Sequence, residues 1–371
     1  MEISIIIVSF RVKHFLEQTI RSAQEALQGR KGEIWVVDNH SADDTMPFVK
    51  PKFPNVRFVE NDHNVGFAKA NNQAIRQARG TFTIILNPDT IITPECINQC
   101  VHWMETHPQC GAIGAHMIDG NGHFLPESKR AFPTPWVSFC KIFGLSALFP
   151  SSPTYAKYHL RYLDEWQPHP IDILAGAFMF CRTDLLQSLG GFDEDFFMYG
   201  EDIDLSYRIV KQGYQNWYLP VNMLHYKGES TKKDSMRYVK VFYEAMLIFY
   251  RKHFPRFRTV VYPFIKLGVL FRQALAVMRR MGSRIIGKKQ SGLKGHWVVL
   301  SEQPDVVADC ANITQFDTEI PASEPANVLI DDASFSYQQI VDTIASHQRK
   351  NVFFHIFASH SQIVITPKMN G

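Results

Sequence analysis

Cysteine is scarce in this 371-residue chain: six residues, at 96, 100, 110, 140, 181 and 310, with no CxxC unit and no disulfide-type spacing. A disulfide framework is thereby disfavoured, and a reduced, cytosolic protein is expected. Cys96 and Cys100 stand one helical turn apart and read as two small buried side chains rather than metal ligands. No G-x-G-x-x-G follows the first strand and no G-x-x-x-x-G-K-[ST] occurs, which argues against a dinucleotide-dependent oxidoreductase and a P-loop nucleotidase. The N-terminus, MEISIIIVSF, lacks a basic leader and has only a short apolar run, so it reads as a buried first strand rather than a signal peptide.

Excess charge is missing too, since the net is only +3. That near-neutrality is a cancellation. Arg251 to His296 holds twelve of the 39 Lys and Arg and no Asp or Glu, leaving 27 basic against 36 acidic residues elsewhere. An acidic body therefore carries a basic belt, an asymmetry that suits an anionic surface. From Val260 to Ile286 the basic residues fall on one side of a helical projection and leave a broad apolar face. No uncharged run there reaches the ~18 residues of a membrane span, so an amphipathic helix lying in an anionic membrane interface is expected. No nucleic-acid-binding module accompanies the basic residues, and nucleic acid is not expected as a partner.

What is present is alternation. Apolar runs at Ile3–Val8, Glu33–Val37, Val56–Val59 and Thr81–Leu86 alternate with helical patterns at 12–27 and 67–79, an order that predicts a doubly wound, mostly parallel sheet. Prolines break up residues 119–170, which read as an excursion over the active face. Strands are expected at 171–174 and 177–181, and helices at 202–211 and 236–253. The expected domains are 1–254 as an α/β body, 255–295 as the basic amphipathic segment, and 296–371 as a small α/β unit of unassigned role.

In such sheets ligands bind beyond the carboxyl ends of the strands. Asp38 emerges from the second strand within DNHSADDT, where it can accept hydrogen bonds from a base or ribose; Ser41 and Asp43 can equally serve as helix caps. Asp89, in Asn87-Pro-Asp-Thr90, supplies a hard oxygen for a divalent metal that would in turn bind a diphosphate. Glu201, Asp202 and Asp204 follow the aromatic-rich run GGFDEDFFMYG, a setting able to tune a carboxylate for general-base work, although acidic residues also favour any helix start. His225 is a candidate nitrogen ligand for the same metal.

Taken in order, SIIIVSF, VVDNHSADDT, NVGFAKANNQAI, LNPDT, LAGAFMFCR, GGFDEDFFMYGEDIDLSYR and HYKGES resemble the family 2 inverting glycosyltransferases of GT-A fold, over residues 1 to 230, in a rhamnosyltransferase-like branch of bacterial surface polysaccharide synthesis. The resemblance implies that Ser9, Asp38, Asn39, Gly66, Asn71, Asn87 and Glu201 hold a nucleotide-sugar and that Asp89 and His225 bind Mg or Mn. Asp202 would be the base that deprotonates an acceptor hydroxyl. It implies a nucleoside diphosphate sugar donor and a saccharide acceptor on a polyprenyl diphosphate lipid. The protein would then be cytoplasmic, peripheral on the inner face of the inner membrane. Asn87 stands where the family's DxD motif has its first Asp, so one carboxylate is missing. A non-catalytic nucleotide-sugar-binding or assembly protein of the same fold is the alternative. A nucleotidyltransferase would want a glycine-rich basic loop after the first strand, which is absent.

Overall fold

A computed structural model describes residues 1–227, 236–254, 296–322, 324–349 and 351–367. The basic segment 255–295 expected to be amphipathic, and Gly228, Glu229 and Ser230 of HYKGES, lie outside the described residues.

Strands, in chain order, are β1 (Ile3–Ser9), β2 (Gly32–Asp38), β3 (Arg57–Glu60), β4 (Phe82–Leu86), β5 (Thr90–Ile91), β6 (Cys110–Ile118), β7 (His169–Ile171), β8 (Phe178–Arg182), β9 (Gln215–His225), β10 (His296–Leu300), β11 (Phe316–Asp317), β12 (Ala326–Asp331), β13 (Val352–Ala358) and β14 (Ile363–Ile365). Helices are α1 (Lys13–Ala26), α2 (Thr45–Val49), α3 (Phe67–Ile75), α4 (Pro94–Thr106), α5 (Pro135–Ile142), α6 (Leu145–Leu148), α7 (Thr183–Ser188), α8 (Glu201–Lys211), α9 (Met236–His253), α10 (Pro304–Cys310) and α11 (Tyr337–Ser346).

Among the described residues there are two sheets. The larger has nine strands in the order β3-β2-β1-β4-β8-β6-β9-β5, with β7 also on β9. β3, β2, β1 and β4 are parallel, as the alternation of strand and helix patterns predicts. β1 and β4 are buried along their whole length because helices cover both faces, which is why they read as unbroken apolar runs. β8 departs from that regularity by running antiparallel to both β4 and β6. The strand expected at 171–174 ends at Ile171; beyond it the carboxylate of Asp172 accepts from the backbone N–H of Phe132 (3.0 Å), which pins the excursion instead of extending a ladder. That excursion is more ordered than its prolines suggest, since Thr134 caps α5 and Pro135 occupies its first turn. Cys96 and Cys100 lie in the core, and no disulfide occurs among the described cysteines.

The second sheet, β11-β10-β12-β13-β14, is the small α/β unit expected after residue 296. It shares a core with the body: Ile91, Ile118, Leu224 and Tyr226 cluster with Val298, Val328, Ile340 and Ile356. Polar clasps reinforce this. Glu25 of α1 accepts from the backbone N–H groups of Tyr337 and Gln338 at the start of α11 (3.2 and 3.4 Å), where a carboxylate meets a helix's positive end. Glu17, on the same helix, accepts from Arg21 (2.9 Å), Lys52 (3.0 Å) and the hydroxyl of Ser361.

Burial alone would push the Glu17 carboxyl up, but Ser361, Arg21 and Lys52 outweigh it and hold it below the usual range. A carboxyl with a depressed folded pKa contributes stability that is present above its unfolded value and lost as pH falls through the folded one. Glu17→Gln is therefore expected to lower stability at pH 7 by about 1–3 kcal/mol and to weaken the acid sensitivity below about pH 4.5. Thermal denaturation across pH 3–7 measures both.

Candidate active site

Strand order reverses at β1, whose neighbours β2 and β4 lead away in opposite directions, so a crevice opens at the carboxyl ends of β1 and β4. Ser9 ends β1 and Asn87 follows β4 directly. The Ser9 hydroxyl is buried and has no hydrogen-bond partner among the described residues.

Asp38 ends β2. Its carboxylate accepts from the backbone N–H (3.0 Å) and the hydroxyl of Ser41. Ser41 in turn accepts from Arg11, whose backbone N–H reaches its hydroxyl (2.9 Å) and whose Nε reaches its carbonyl (2.8 Å). Arg11, His40 and Ala42 all adopt left-handed φ, 56°, 63° and 51°, and this network holds the two loops in that costly conformation. Asp43 accepts from the Thr45 N–H (2.9 Å), but the residue before α2 is Asp44, so neither Ser41 nor Asp43 occupies the N-cap position that the sequence suggested.

Asn39 is tied up internally. Its Oδ1 accepts from Val65 N–H (2.9 Å) and its Nδ2 donates to Asn64 Oδ1 (3.0 Å), so it fastens the loop that ends at Gly66. Gly66 has φ +88°, and a Cβ there would fall 2.6 Å from the carbonyl oxygen of Phe197. Glycine is thus required on two counts. Asn71 donates to Phe67 in its own helix (2.9 Å), and its buried Oδ1 has no partner among the described residues.

The antiparallel pairing of β5 with the end of β9 puts Thr90 opposite His225. Asp89, almost fully buried, thereby meets the imidazole: its Oδ1 lies 3.4 Å from His225 Nε2, and the Asn87 amide nitrogen is also 3.4 Å from that atom. Turning the Asn87 amide over would present its oxygen instead. No cluster of three His, Cys, Asp or Glu suited to a metal occurs among the described residues. One buried carboxylate, one imidazole and one amide oxygen nevertheless suit a divalent ion whose remaining positions go to substrate phosphates and water. The donor set fits.

α8 is preceded by its N-cap residue Gly200, φ +84°. Asp202 in its first turn faces Arg130, whose guanidinium donates to Oδ2 (2.5 Å) and to the carbonyl of Leu174. Gly176 N–H also reaches Asp202 Oδ2 (3.3 Å), while its neighbour Ala177 accepts from Asn87 N–H (3.0 Å). Asn87 and Asp202 are therefore two hydrogen bonds and one peptide apart. Glu201 is buried, with Oε2 unpartnered among the described residues. Burial, together with the adjacent charge of Asp202, pushes its carboxyl up to about 8. Burial works against the charge of Arg130, but Asp202 outweighs it and holds the guanidinium above its ordinary range. Of these neighbouring carboxyls, Glu201 is held neutral by burial and Asp202 is paired to a cation. Asp204 points elsewhere, to Arg208 and His253 at 2.6 Å each, and locks α8 to α9.

Arg130 was not singled out in the sequence. A basic residue in a stretch without acids, Ser128 to Leu163, was the available signal, but nothing there pointed to Asp202.

This crevice, with carboxylates and an imidazole gathered at strand ends, lies where open α/β sheets bind their ligands. The chain belongs to glycosyl transferase family 2, whose model matches residues 4–190, half of its length. It is 26% identical over 257 residues to the N-acetylglucosaminyl-diphospho-decaprenol L-rhamnosyltransferase of Mycobacterium tuberculosis, covering 66% of this chain and 82% of that one. It is 25% identical over 215 residues to the low-salt glycan biosynthesis hexosyltransferase Agl10 of Haloferax volcanii, covering 57% of this chain and 62% of that one. Among solved structures it is similar to the mannosyltransferase PcManGT from Pyrobaculum calidifontis in complex with GDP-Man and Mn2+, with 19% identity, a TM-score of 0.47, and coverage of 77% of this chain and 76% of that one.

A carboxyl whose folded pKa is raised binds its proton more tightly folded than unfolded, so its contribution to stability is present below the unfolded value and is lost as pH rises toward the folded one. Between about pH 4.5 and 8 Glu201 should lower stability by up to about 1.4 kcal/mol per pH unit. Glu201→Gln is expected to flatten that part of the profile in denaturant titrations at successive pH values.

Proposed function

We propose that the protein transfers a hexosyl group, rhamnose or another hexose, from a nucleoside diphosphate sugar to a saccharide acceptor carried on a polyprenyl diphosphate lipid, with inversion at the anomeric carbon. The observation that carries this reading is the linkage of Asp89, His225 and Asn87 to Asp202 through Ala177 and Gly176, which gathers a diphosphate-binding edge and a base at one mouth. The similarity to an enzyme named for a diphospho-decaprenol substrate supports the lipid-linked acceptor.

Ser9 and Asp38 hold the nucleotide. Asn39 shapes its pocket by fixing the loop to Gly66, and Asn71 lines the far side. Asp89 and His225, with Asn87, would hold Mg or Mn, which when bound offsets charge on the diphosphate. Asp202 takes the proton from the acceptor hydroxyl as that oxygen bonds to the anomeric carbon. The bond from that carbon to the diphosphate oxygen breaks on the opposite face, and its electron pair leaves with the nucleoside diphosphate. One displacement inverts the configuration. Arg130 holds the Asp202 carboxylate in place, and neutral Glu201 can donate a hydrogen bond to the sugar where a second carboxylate would repel the diphosphate.

Asp202→Asn is expected to reduce transfer by about 10²–10⁴-fold with donor affinity little changed, measured by nucleoside diphosphate release and by calorimetric donor titration. Substantial turnover in that variant would remove Asp202 as the base. Asp89→Ala should weaken donor binding in Mn or Mg and leave it unaltered in chelator; equal affinities in metal would exclude Asp89 from the site. Screening UDP-, GDP- and dTDP-sugars by thermal shift identifies the donor, because a ligand held only by the folded state raises the melting temperature.

A further inference from the structure

Directly after Arg130 the excursion presents an apolar surface outward. Trp136, Phe139, Phe143, Leu148 and Phe149, on α5, α6 and the turns beside them, are each between 37 and 71% exposed. Their rings adjoin. The Trp136 and Phe139 rings stack at 5.7 Å, Phe139 and Phe143 lie 4.6 Å apart, and Tyr155 sits 5.2 Å from Phe149. Beneath them Val137 and Cys140 are buried, and Lys141 lies 3.3 Å over the Tyr158 ring, so the inward face of α5 is already packed. Five large apolar side chains exposed side by side make a contiguous patch of the kind that marks an interaction site on a monomer.

Charge decides the partner. Residues 128–163 contain five Lys and Arg and no Asp or Glu; Lys129 and Arg130 are held inward by the Leu163 carbonyl and Asp202, while Lys157 and Arg161 are exposed. The Tyr250 hydroxyl of α9 donates to the carbonyl of Pro133, so the last turns of that helix meet the segment that leads into α5. Trp and Phe backed by cations and free of acids match the lipid–water interface, where rings sit at headgroup depth and basic side chains meet anionic headgroups.

We infer that the α5–α6 aromatic face inserts into an anionic lipid interface and seats the catalytic mouth beside the membrane, with Trp136 among the inserted rings. This deepens the proposed function and rests on it only for the origin of the acceptor. It rests on residues distinct from the basic segment: the cations attract, and the rings penetrate.

The test uses the full chain and vesicles of phosphatidylcholine with phosphatidylglycerol. Phe143→Glu combined with Phe149→Glu is expected to lower vesicle co-sedimentation about tenfold or more, with an unchanged melting temperature and unchanged nucleoside diphosphate release on a water-soluble acceptor. Vesicles with brominated acyl chains should quench a tryptophan component that Trp136→Phe lacks. Equal sedimentation of the double variant, or equal quenching in Trp136→Phe, overturns the inference. So does a lipid-free self-association that the double variant abolishes, since the face would then bind a second copy. Vesicle binding is read without donor or acceptor, so a failure of the transferase reading shows in the release assay while the sedimentation result stands.

Discussion

One antiparallel strand governs the site. β8 enters between β4 and β6 against the direction of both, so the chain just before it, Gly176-Ala177, lies at the carboxyl end of β4. There Ala177 accepts from Asn87 and Gly176 donates to Asp202. A parallel strand would enter at the opposite edge of the sheet, and the Asp202 loop would be left away from the β1–β4 crevice.

Around that pairing the electrostatics divide cleanly. The two carboxyls at the start of α8 cannot both be ionised cheaply in a buried site. Arg130 distinguishes them: Asp202 receives its guanidinium, and Glu201, without a cation of its own, retains its proton up to about pH 8. Asp204, the third acidic residue of the turn, is matched by Arg208 and His253 and belongs to the packing of α8 on α9. Three acidic residues within four positions thus acquire three different roles from their partners. Arg130 also ties this balance to the excursion, whose aromatic face begins only a few residues later, so seating that face at a surface would set the position of the guanidinium at the mouth.

The strand and helix order of the first 90 residues was legible from the sequence, because strands buried on both faces must be apolar throughout and their helices amphipathic. The ends of those strands were legible as the place for Ser9, Asp38 and Asp89, and the spacing of the small unit after residue 296 was legible for the same reason. Less visible were the reversal at β8, which has the same apolar composition as its parallel neighbours, and the order within the proline-rich excursion.

What the sequence by itself determined is therefore the fold class, the family, and the chain positions of acidic groups at strand ends, since each depends on local patterns of burial and turn. Only the tertiary structure decided the partnerships: His225 with Asp89 through the β5–β9 ladder, Arg130 with Asp202 across the excursion, Glu25 with the start of α11. Such pairings join residues far apart in the chain. No local propensity encodes them, and they exist because burying the sheets leaves each charged group one place where its charge can be met.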